Sequence, residues 1–447
     1  MKITVAGAGY VGLVTSAGLA DIGHNVTCID IEKDKIDMLQ NGRSPIYEPG
    51  LESLIEKNLL NGQLQFTMNP EQAYSGADII FIAVGTPEQQ DGSVDLKYIH
   101  VVSHTIAHYI DKDVIVCTKS TVPVGTNELI KQIIHSRKSS AIKAEVVVSP
   151  EFLREGSAVL DFFQGDRIVI GADDPDAASI MEQIYLPLKI PIMKTDIRSA
   201  EMIKYASNAF LAAKISFINE IANLCEKVGA NIEEVAFGIG QDKRIGHDFL
   251  KAGIGYGGSC FPKDTRALVQ LAGNAKHQFE LLEAVIKVNN RQQTLPVIKA
   301  KEMLGSLKNK KVAVLGLAFK PDTDDVREAA SLKIIKELLE EGANVRAYDP
   351  IAIPNAKKVL GDSIEYAYNI HYALYEADIA MILTEWEQIK HVRLNMFQTY
   401  MKEPIVIDGR NCYSLEEIQK YPITYLSIGR PDVYRDRPKD ELRIINL

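Results

Sequence analysis

The chain opens on a strand-like run, "KITVA", that passes into "GAGYVG" and then into the helical stretch "LVTSAGLADIG". Few short segments restrict a fold so strongly. Gly7, Gly9 and Gly12 stand in G-x-G-x-x-G spacing, and Asp30 closes the next strand, "NVTCID", eighteen residues after Gly12. A dinucleotide-binding βαβ unit requires that context. The first glycine permits a tight turn, the second lets backbone approach a pyrophosphate, and the third allows close helix–strand packing. The helix start then offers its free N–H groups to the phosphates. Asp30 suits the ribose hydroxyls and repels a 2′-phosphate, which favours NAD over NADP, while Lys35 one turn later pulls the other way.

The alternation continues beyond that unit. "DIIFIAVG" (78–85), "DVIVCTKS" (113–120), "AEVVVSP" (144–150) and "DRIVIG" (166–171) read as strands between helical stretches, which implies βαβ units and a parallel sheet. Residues 196–228 contain neither Gly nor Pro and predict one helix. At roughly 1.5 Å per residue it would span on the order of 45 Å, which suits a connector between lobes or a dimer interface. A Gly-rich loop and a second helical region, about 265–304, follow. Strand-like runs then return at 310–319, 344–350, 377–386 and 404–410.

The expected architecture is therefore α/β, with two Rossmann-like doubly wound lobes joined by a long central helix. The divisions fall at 1–195, 196–305 and 306–447 of the 447 residues. The first turn of the second lobe, "GLAFKP" (316–321), lacks G-x-G-x-x-G, so a second dinucleotide site is not expected there. Lys320 and Arg410, at strand ends of that lobe, suit a phosphate.

Charge and cysteine usage exclude several classes. Acidic residues outnumber basic ones 59 to 50, for a formal net charge of −9. That argues against a broad nucleic-acid or anionic-membrane surface. The longest apolar runs are far too short to span a bilayer. The initiator leads directly into the first strand, so no secretory leader is expected and the location is read as cytoplasmic. The five cysteines are odd in number, widely spaced and without a CxxC. Neither a disulfide framework nor a metal site is expected.

Ligands in open α/β sheets bind beyond the carboxyl ends of strands, and several polar groups stand there. Thr86 in "VGTP" and Thr121 in "KSTVPVGT" are either ligand contacts or caps of the next helix. In "SPEFLREG" (149–156), Glu151 lies between Pro150 and Phe152-Leu153, a setting suited to a general base. Glu155 is open to a solvated reading as well. Lys204 and Asn208 are four apart on the long helix and share a face. Either the lysine snorkels from the helix edge, or the pair stabilises negative charge on oxygen.

The loop "GIGYGGSCFPKD" (253–264) places Cys260 after a run of glycines. Those glycines leave no packed core around the thiol and admit close approach of a ligand. A buried inert cysteine is the rival reading. A nicotinamide site combined with a thiol nucleophile points to oxidation beyond the aldehyde. The thiolate adds to an aldehyde, the adduct loses a second hydride, and water releases an acid.

"GAGYVG", "STVPVGT", "SPEFLREGSA", "SAEMIKYASNAFLAAKISFINE", "FLKAGIGYGGSCFPKD", "LGLAFKPDTDDVRE" and "VIDGRN" together resemble the UDP-glucose/GDP-mannose dehydrogenase family, and its UDP-glucose-oxidising members in particular. The likeness runs in order from residue 1 to about 430. It implies a four-electron oxidation in which UDP-glucose, two NAD⁺ and water give UDP-glucuronate for polysaccharide synthesis. It further implies that Cys260 is the nucleophile, with Lys204 and Asn208 stabilising the oxyanion. Asp264 then assists proton removal, and Glu151 and Thr118 handle the hydrolytic water. The NAD contacts implied are Gly7, Gly9, Tyr10, Val11, Gly12, Asp30, Lys35, Thr86, Thr121, Glu155, Lys263 and Arg327. The substrate contacts implied are Phe152, Leu153, Arg154, Glu155, Lys204, Asn208, Phe249, Leu250, Lys251, Gly257, Lys320 and Arg410. Arg244 would reach the neighbouring subunit's site, which implies a homodimer built on the long helix.

GDP-mannose and UDP-N-acetylmannosamine dehydrogenases share this scaffold. The latter group lacks the glutamate of "PEFLREG", and "RIGHDFLKAGIGYGG" (244–258) is closer to the UDP-glucose type. A catalytically idle nucleotide-sugar sensor would have lost Cys260 or Lys204, and both are present.

Overall fold

The apolar runs of the N-terminal part all become strands. In the computed structural model, which describes residues 1–435, they join two shorter strands in an eight-stranded sheet. Its members are β1 (Lys2–Ala6), β2 (Asn25–Ile29), β3 (Leu64–Thr67), β4 (Ile79–Ile82), β5 (Val114–Thr118), β6 (Ala144–Val148), β7 (Ile168–Ala172) and β8 (Ile192–Thr195). The order is β3-β2-β1-β4-β5-β6-β7-β8. Neighbouring side chains of β4 alternate between two cores, Ile79 and Phe81 in one and Ile80 and Ile82 in the other. Both faces are thus covered, and the strand is apolar throughout. Chain order reverses at the neighbours β1 and β4, a topological switch point where open α/β sheets hold ligands.

The expectation of a parallel sheet needs one correction, because β7 runs antiparallel to β6. The connection between them, residues 149–167, holds a single short helix, Ala158–Gln164. β8 then pairs parallel with β7.

By contact, the chain divides into a unit of residues 1–207 with 266–276 and a second unit of 208–265 with the residues from 277 onward. The second carries β9 (Lys311–Leu315), β10 (Asn344–Tyr348), β11 (Glu365–Tyr366), β12 (Ile379–Ile382), β13 (Ile405–Asp408) and β14 (Thr424–Leu426). All pairs are parallel, in the order β11-β10-β9-β12-β13-β14. This is again a Rossmann-like order. The predicted long helix is Ile197–Val228, 32 residues. The helical region after it consists of Ile232–Gly240, Phe261–Asn274, Glu280–Gln292 and Leu295–Leu304. No helix among the described residues is long and apolar enough to cross a membrane.

Candidate active site

In the first unit, the turn after β1 has the geometry its glycines imply. Gly7 is left-handed (φ 106°), and a β-carbon there would lie 2.7 Å from the Ala83 carbonyl oxygen. On Gly12 it would lie 1.8 Å from the Gly7 oxygen, so only glycine lets the helix Tyr10–Asp21 start so close to the strand. At Gly9 nothing lies within 4 Å of that position. Backbone is therefore open to a ligand at the helix start, as a pyrophosphate needs. Val11 follows in the first turn, and the Tyr10 hydroxyl accepts the Gly156 N–H at 2.7 Å.

Asp30, at the end of β2, braces this turn. Its Oδ2 accepts the Ala8 N–H at 2.6 Å and its Oδ1 the Glu32 N–H at 3.0 Å, and the residue stays partly exposed. Lys35 pairs with Glu32 at 2.6 Å rather than with Asp30. At the next strand ends, Thr86 is buried and its hydroxyl donates to the Thr121 carbonyl at 3.0 Å, which ties two ligand-facing loops together. Glu201 on the long helix holds the second loop, accepting from Gly125 N–H at 2.7 Å and from the Asn127 amide at 2.8 Å.

Thr118 falls in the same network. It is fully buried and its hydroxyl donates to Asn127 Oδ1 at 2.6 Å. Its proton is thus directed to a side chain that Glu201 holds, and the expected role with the hydrolytic water falls to its oxygen as an acceptor.

Glu151, just past β6, makes a buried ion pair with Lys204 at 2.9 Å, and its other oxygen accepts the Leu153 N–H at 2.6 Å. Lys204 also lies 5.5 Å from the centroid of the Phe152 ring, whose centroid is 3.8 Å from the Arg167 guanidinium carbon. The snorkelling reading of Lys204 fails, since the residue is 3% exposed. Glu155 is buried, and exposed Arg154 forms two bonds to Asp161, Nε to Oδ2 at 3.0 Å and Nη2 to Oδ1 at 2.6 Å.

Asn208 stands one turn after Lys204 on the same helix, in the second unit. Its amide donates to Asp264 Oδ2 at 2.7 Å, and Lys263 donates to Asp264 Oδ1 at 2.5 Å. Asp264 is 1% exposed and belongs to the first turn of Phe261–Asn274. Cys260 immediately precedes that helix, its carbonyl accepting the Asp264 N–H at 2.8 Å. The cysteine is partly exposed and in no disulfide.

The glycine loop differs from its expectation. Residues 252–258 are all buried. A β-carbon would meet the Gly409 oxygen from Gly253, Asn289 Oδ1 from Gly255, the Glu328 oxygen from Gly257 and the Phe319 ring from Gly258, at 2.9, 2.6, 2.3 and 2.8 Å. These glycines pack the loop against its own unit; they do not open space around the thiol. Asn219, Asn289, Gln292 and Gln293 then bond its backbone. Sequence reasoning missed these buried amides, whose signal is a polar residue on an otherwise apolar helix face.

Arg410, expected at a phosphate, is tied to carbonyls. Nε donates to Leu383 O at 2.9 Å, Nη2 to Phe319 O at 3.1 Å and Nη1 to Gly255 O at 3.3 Å, so it braces the cysteine loop. Lys320 Nζ lies 5.6 Å from the Phe319 ring centroid. Arg327 pairs with Asp325 at 2.7 Å. Phe249 has φ 63° and a ring 6.2 Å from that of Phe261; Leu250 is buried and Lys251 exposed. Arg244 is among the most exposed of the paired cations, 2.5 Å from Asp242.

Comparison with known proteins places these features in a family. Residues 1–189 match the NAD binding domain of the UDP-glucose/GDP-mannose dehydrogenase family, residues 198–291 its central domain and residues 313–415 its UDP binding domain. A UDP-glucose 6-dehydrogenase of Bacillus subtilis (strain 168) is 56% identical, the match covering 97% of this chain and 98% of the relative. The solved UDP-glucose dehydrogenase of Pyrobaculum islandicum is 39% identical with a TM-score of 0.90, over 96% of this chain and 98% of that one. A UDP-D-ManNAc dehydrogenase structure from Pyrococcus horikoshii is 28% identical with a TM-score of 0.86, over 97% of this chain and 100% of that one.

Proposed function

The chain belongs to the UDP-glucose/GDP-mannose dehydrogenase family, and from that membership we propose that it oxidises UDP-glucose twice at C6. The products are UDP-glucuronate, a donor for polysaccharide synthesis, and two NADH. The observation that carries the choice of sugar is 56% identity to a named UDP-glucose 6-dehydrogenase over nearly the whole chain. The 28% identity to the ManNAc enzyme is half that.

NAD⁺, when bound, would supply the hydride acceptor for each oxidation, a second NAD⁺ replacing the first NADH between them. Gly7, Gly9 and Gly12 fit its pyrophosphate, and Asp30 its ribose. In the first oxidation Asp264, with a water, takes the C6 hydroxyl proton. Lys204 and Asn208 balance the charge that grows on oxygen, as preorganised donors do most effectively in a buried site. The Cys260 thiolate then forms a C–S bond to the aldehyde carbon. The resulting thiohemiacetal loses a hydride and a proton to become a thioester. Glu151 takes a proton from water as the water adds, the C–S bond breaks, and the carboxylate leaves with the thiolate restored. We assign the Thr118 oxygen to accepting a hydrogen bond from that water, and Arg410 to bracing the cysteine loop beside the UDP-sugar.

The same proposal includes a cytoplasmic homodimer. Phe210, Phe217 and Leu224 of the long helix are 68%, 56% and 53% exposed at seven-residue spacing, an apolar stripe that a second copy would cover. Exposed Arg244 would then reach the partner's site. Comparing kcat/KM for UDP-glucose, GDP-mannose and UDP-N-acetylmannosamine tests the substrate. UDP-glucose should be preferred by about a hundredfold or more, as a site built around sugar hydroxyls permits. A preference for either rival would overturn the assignment.

A further inference from the structure

The Thr118 oxygen is to accept from the hydrolytic water, and something must turn its hydroxyl that way. A threonine hydroxyl carries one proton and two lone pairs, so it accepts from a water only where its own proton is directed elsewhere. Thr118 donates to Asn127 Oδ1 at 2.6 Å, and both residues are fully buried. An amide can turn over, however, and Nδ2 would then face the threonine in place of Oδ1. Two donors would meet, and the hydroxyl would turn its proton away, into the direction from which the water must donate.

Glu201 removes that choice. It lies on the long helix one turn before Lys204 and is 2% exposed. Its Oε1 takes both the Asn127 backbone N–H at 3.1 Å and Nδ2 at 2.8 Å, while Oε2 takes the Gly125 N–H at 2.7 Å. Those donors begin the helix Thr126–Arg137, whose N-cap, Gly125, has no side chain to cap it. A carboxyl from another helix does so instead. Burial raises the pKa of that carboxyl, and the bonds to Gly125 and Asn127 pull the other way. Oε1 is an acceptor in either protonation state, because two N–H groups already point at it. The order is therefore forced. Oε1 fixes Nδ2, Nδ2 fixes Oδ1, and Oδ1 fixes the Thr118 proton. Lys119, buried next to Thr118, turns its ammonium to Ser149 Oγ at 3.4 Å. The Ser149 N–H donates to the Thr118 carbonyl at 3.0 Å, which holds Thr118 beside the strand end that leads to Glu151.

We propose that Glu201 is a positioning residue acting through Asn127 on Thr118: it fixes the amide so that the threonine oxygen, not its proton, faces the hydrolytic water. The inference rests on the reading of Thr118 as that water's acceptor. It places Glu201 in thioester hydrolysis and in neither hydride transfer.

The test follows the first turnover of the full-length enzyme at saturating UDP-glucose and NAD⁺, reading the burst of NADH and the release of UDP-glucuronate. Thr118→Val, which keeps the shape and loses the hydroxyl, should slow release about tenfold, the worth of one hydrogen bond, with two NADH per site still formed. Glu201→Leu should do the same, and the thioester should then accumulate on Cys260 as added mass of the intact protein. Glu201→Gln should retain wild-type release, because its one oxygen is drawn to the two Asn127 donors over the single Gly125 donor. The double variant Thr118→Val/Glu201→Leu should match Thr118→Val within about twofold, since a residue acting only through a hydroxyl has no effect once the hydroxyl is gone. A residue that merely holds the fold would instead multiply the two losses. Asn127→Leu carries the same expectations as Glu201→Leu, so a misfolded Glu201 variant leaves the test standing. Unchanged release in Thr118→Val would overturn the parent reading and the proposal with it. A slowed Thr118→Val beside multiplying losses, or a lost NADH burst in folded Glu201 and Asn127 variants, would overturn the proposal alone.

Discussion

The two Rossmann-like units repeat one device with different spare capacity. In each, an acid closing the second strand holds the turn after the first. Asp30 accepts two backbone N–H bonds, from Ala8 and Glu32, and remains partly exposed. Asp349 is 2% exposed and accepts five, from Leu317, Ala318, Ile351 and Ala352 N–H and from the Trp386 indole. The first acid keeps lone pairs for a ligand; the second has none to give. The helices diverge in the same sense. After Gly9 the helix begins at once, so its N–H groups face the turn, whereas after Gly316 the next helix waits until Ala330. The intervening segment carries Lys320 and Arg327 instead. Topology alone does not make a dinucleotide site; unsatisfied groups at the turn do.

Substitutions in the paired positions can break this contrast. The largest effect is expected for Asp349→Ala, which strands four buried donors and one half-buried one. Leaving such groups unsatisfied costs about 1–3 kcal/mol apiece before relaxation, so the C-terminal unit should lose at least about 3 kcal/mol in chemical denaturation. A Tm and denaturation midpoint like the wild type's would show that the acid is dispensable there. Gly12→Ala comes next, because its methyl collides with backbone that cannot swing aside. NAD⁺ binding by calorimetry should be lost while the C-terminal unit keeps its cooperative unfolding; retained binding would refute the packing argument. Asp30→Ala should be milder for the fold and specific to the ligand. The Kd for NAD⁺ should rise about tenfold, the worth of a charge-assisted hydrogen bond, with Tm little changed. The smallest effect belongs to Lys35→Ala, whose exposed pair with Glu32 is worth at most about 1 kcal/mol. A large loss of NAD⁺ affinity there would mean that the lysine, not Asp30, governs the cofactor.

The long buried runs made most of this fold legible. "IIFI" and "VIVCT" can only be central strands of a sheet covered on both faces. β3, β11 and β14 escaped because two to four residues carry too little pattern, and β8 because it is an edge strand with two exposed members. At the site, Glu151, Lys204 and Asn208 were legible as polar residues in apolar surroundings, Asp264 only through the family resemblance, and all four prove buried. The glycines before Cys260 were misread, since a sequence does not say whether missing side chains make room for ligand or for protein. Lys119 was overlooked inside a strand end quoted for its threonines. A lysine closing a fully buried strand was the available signal.

The account stands on Cys260 carrying the substrate from aldehyde to acid. NADH counted per UDP-glucose consumed measures this most directly. The wild type should give two, and Cys260→Ser should form no UDP-glucuronate, because an alkoxide is a poorer nucleophile and leaving group than a thiolate. One NADH per sugar in the wild type, or unchanged acid formation by the serine variant, would contradict the thioester route.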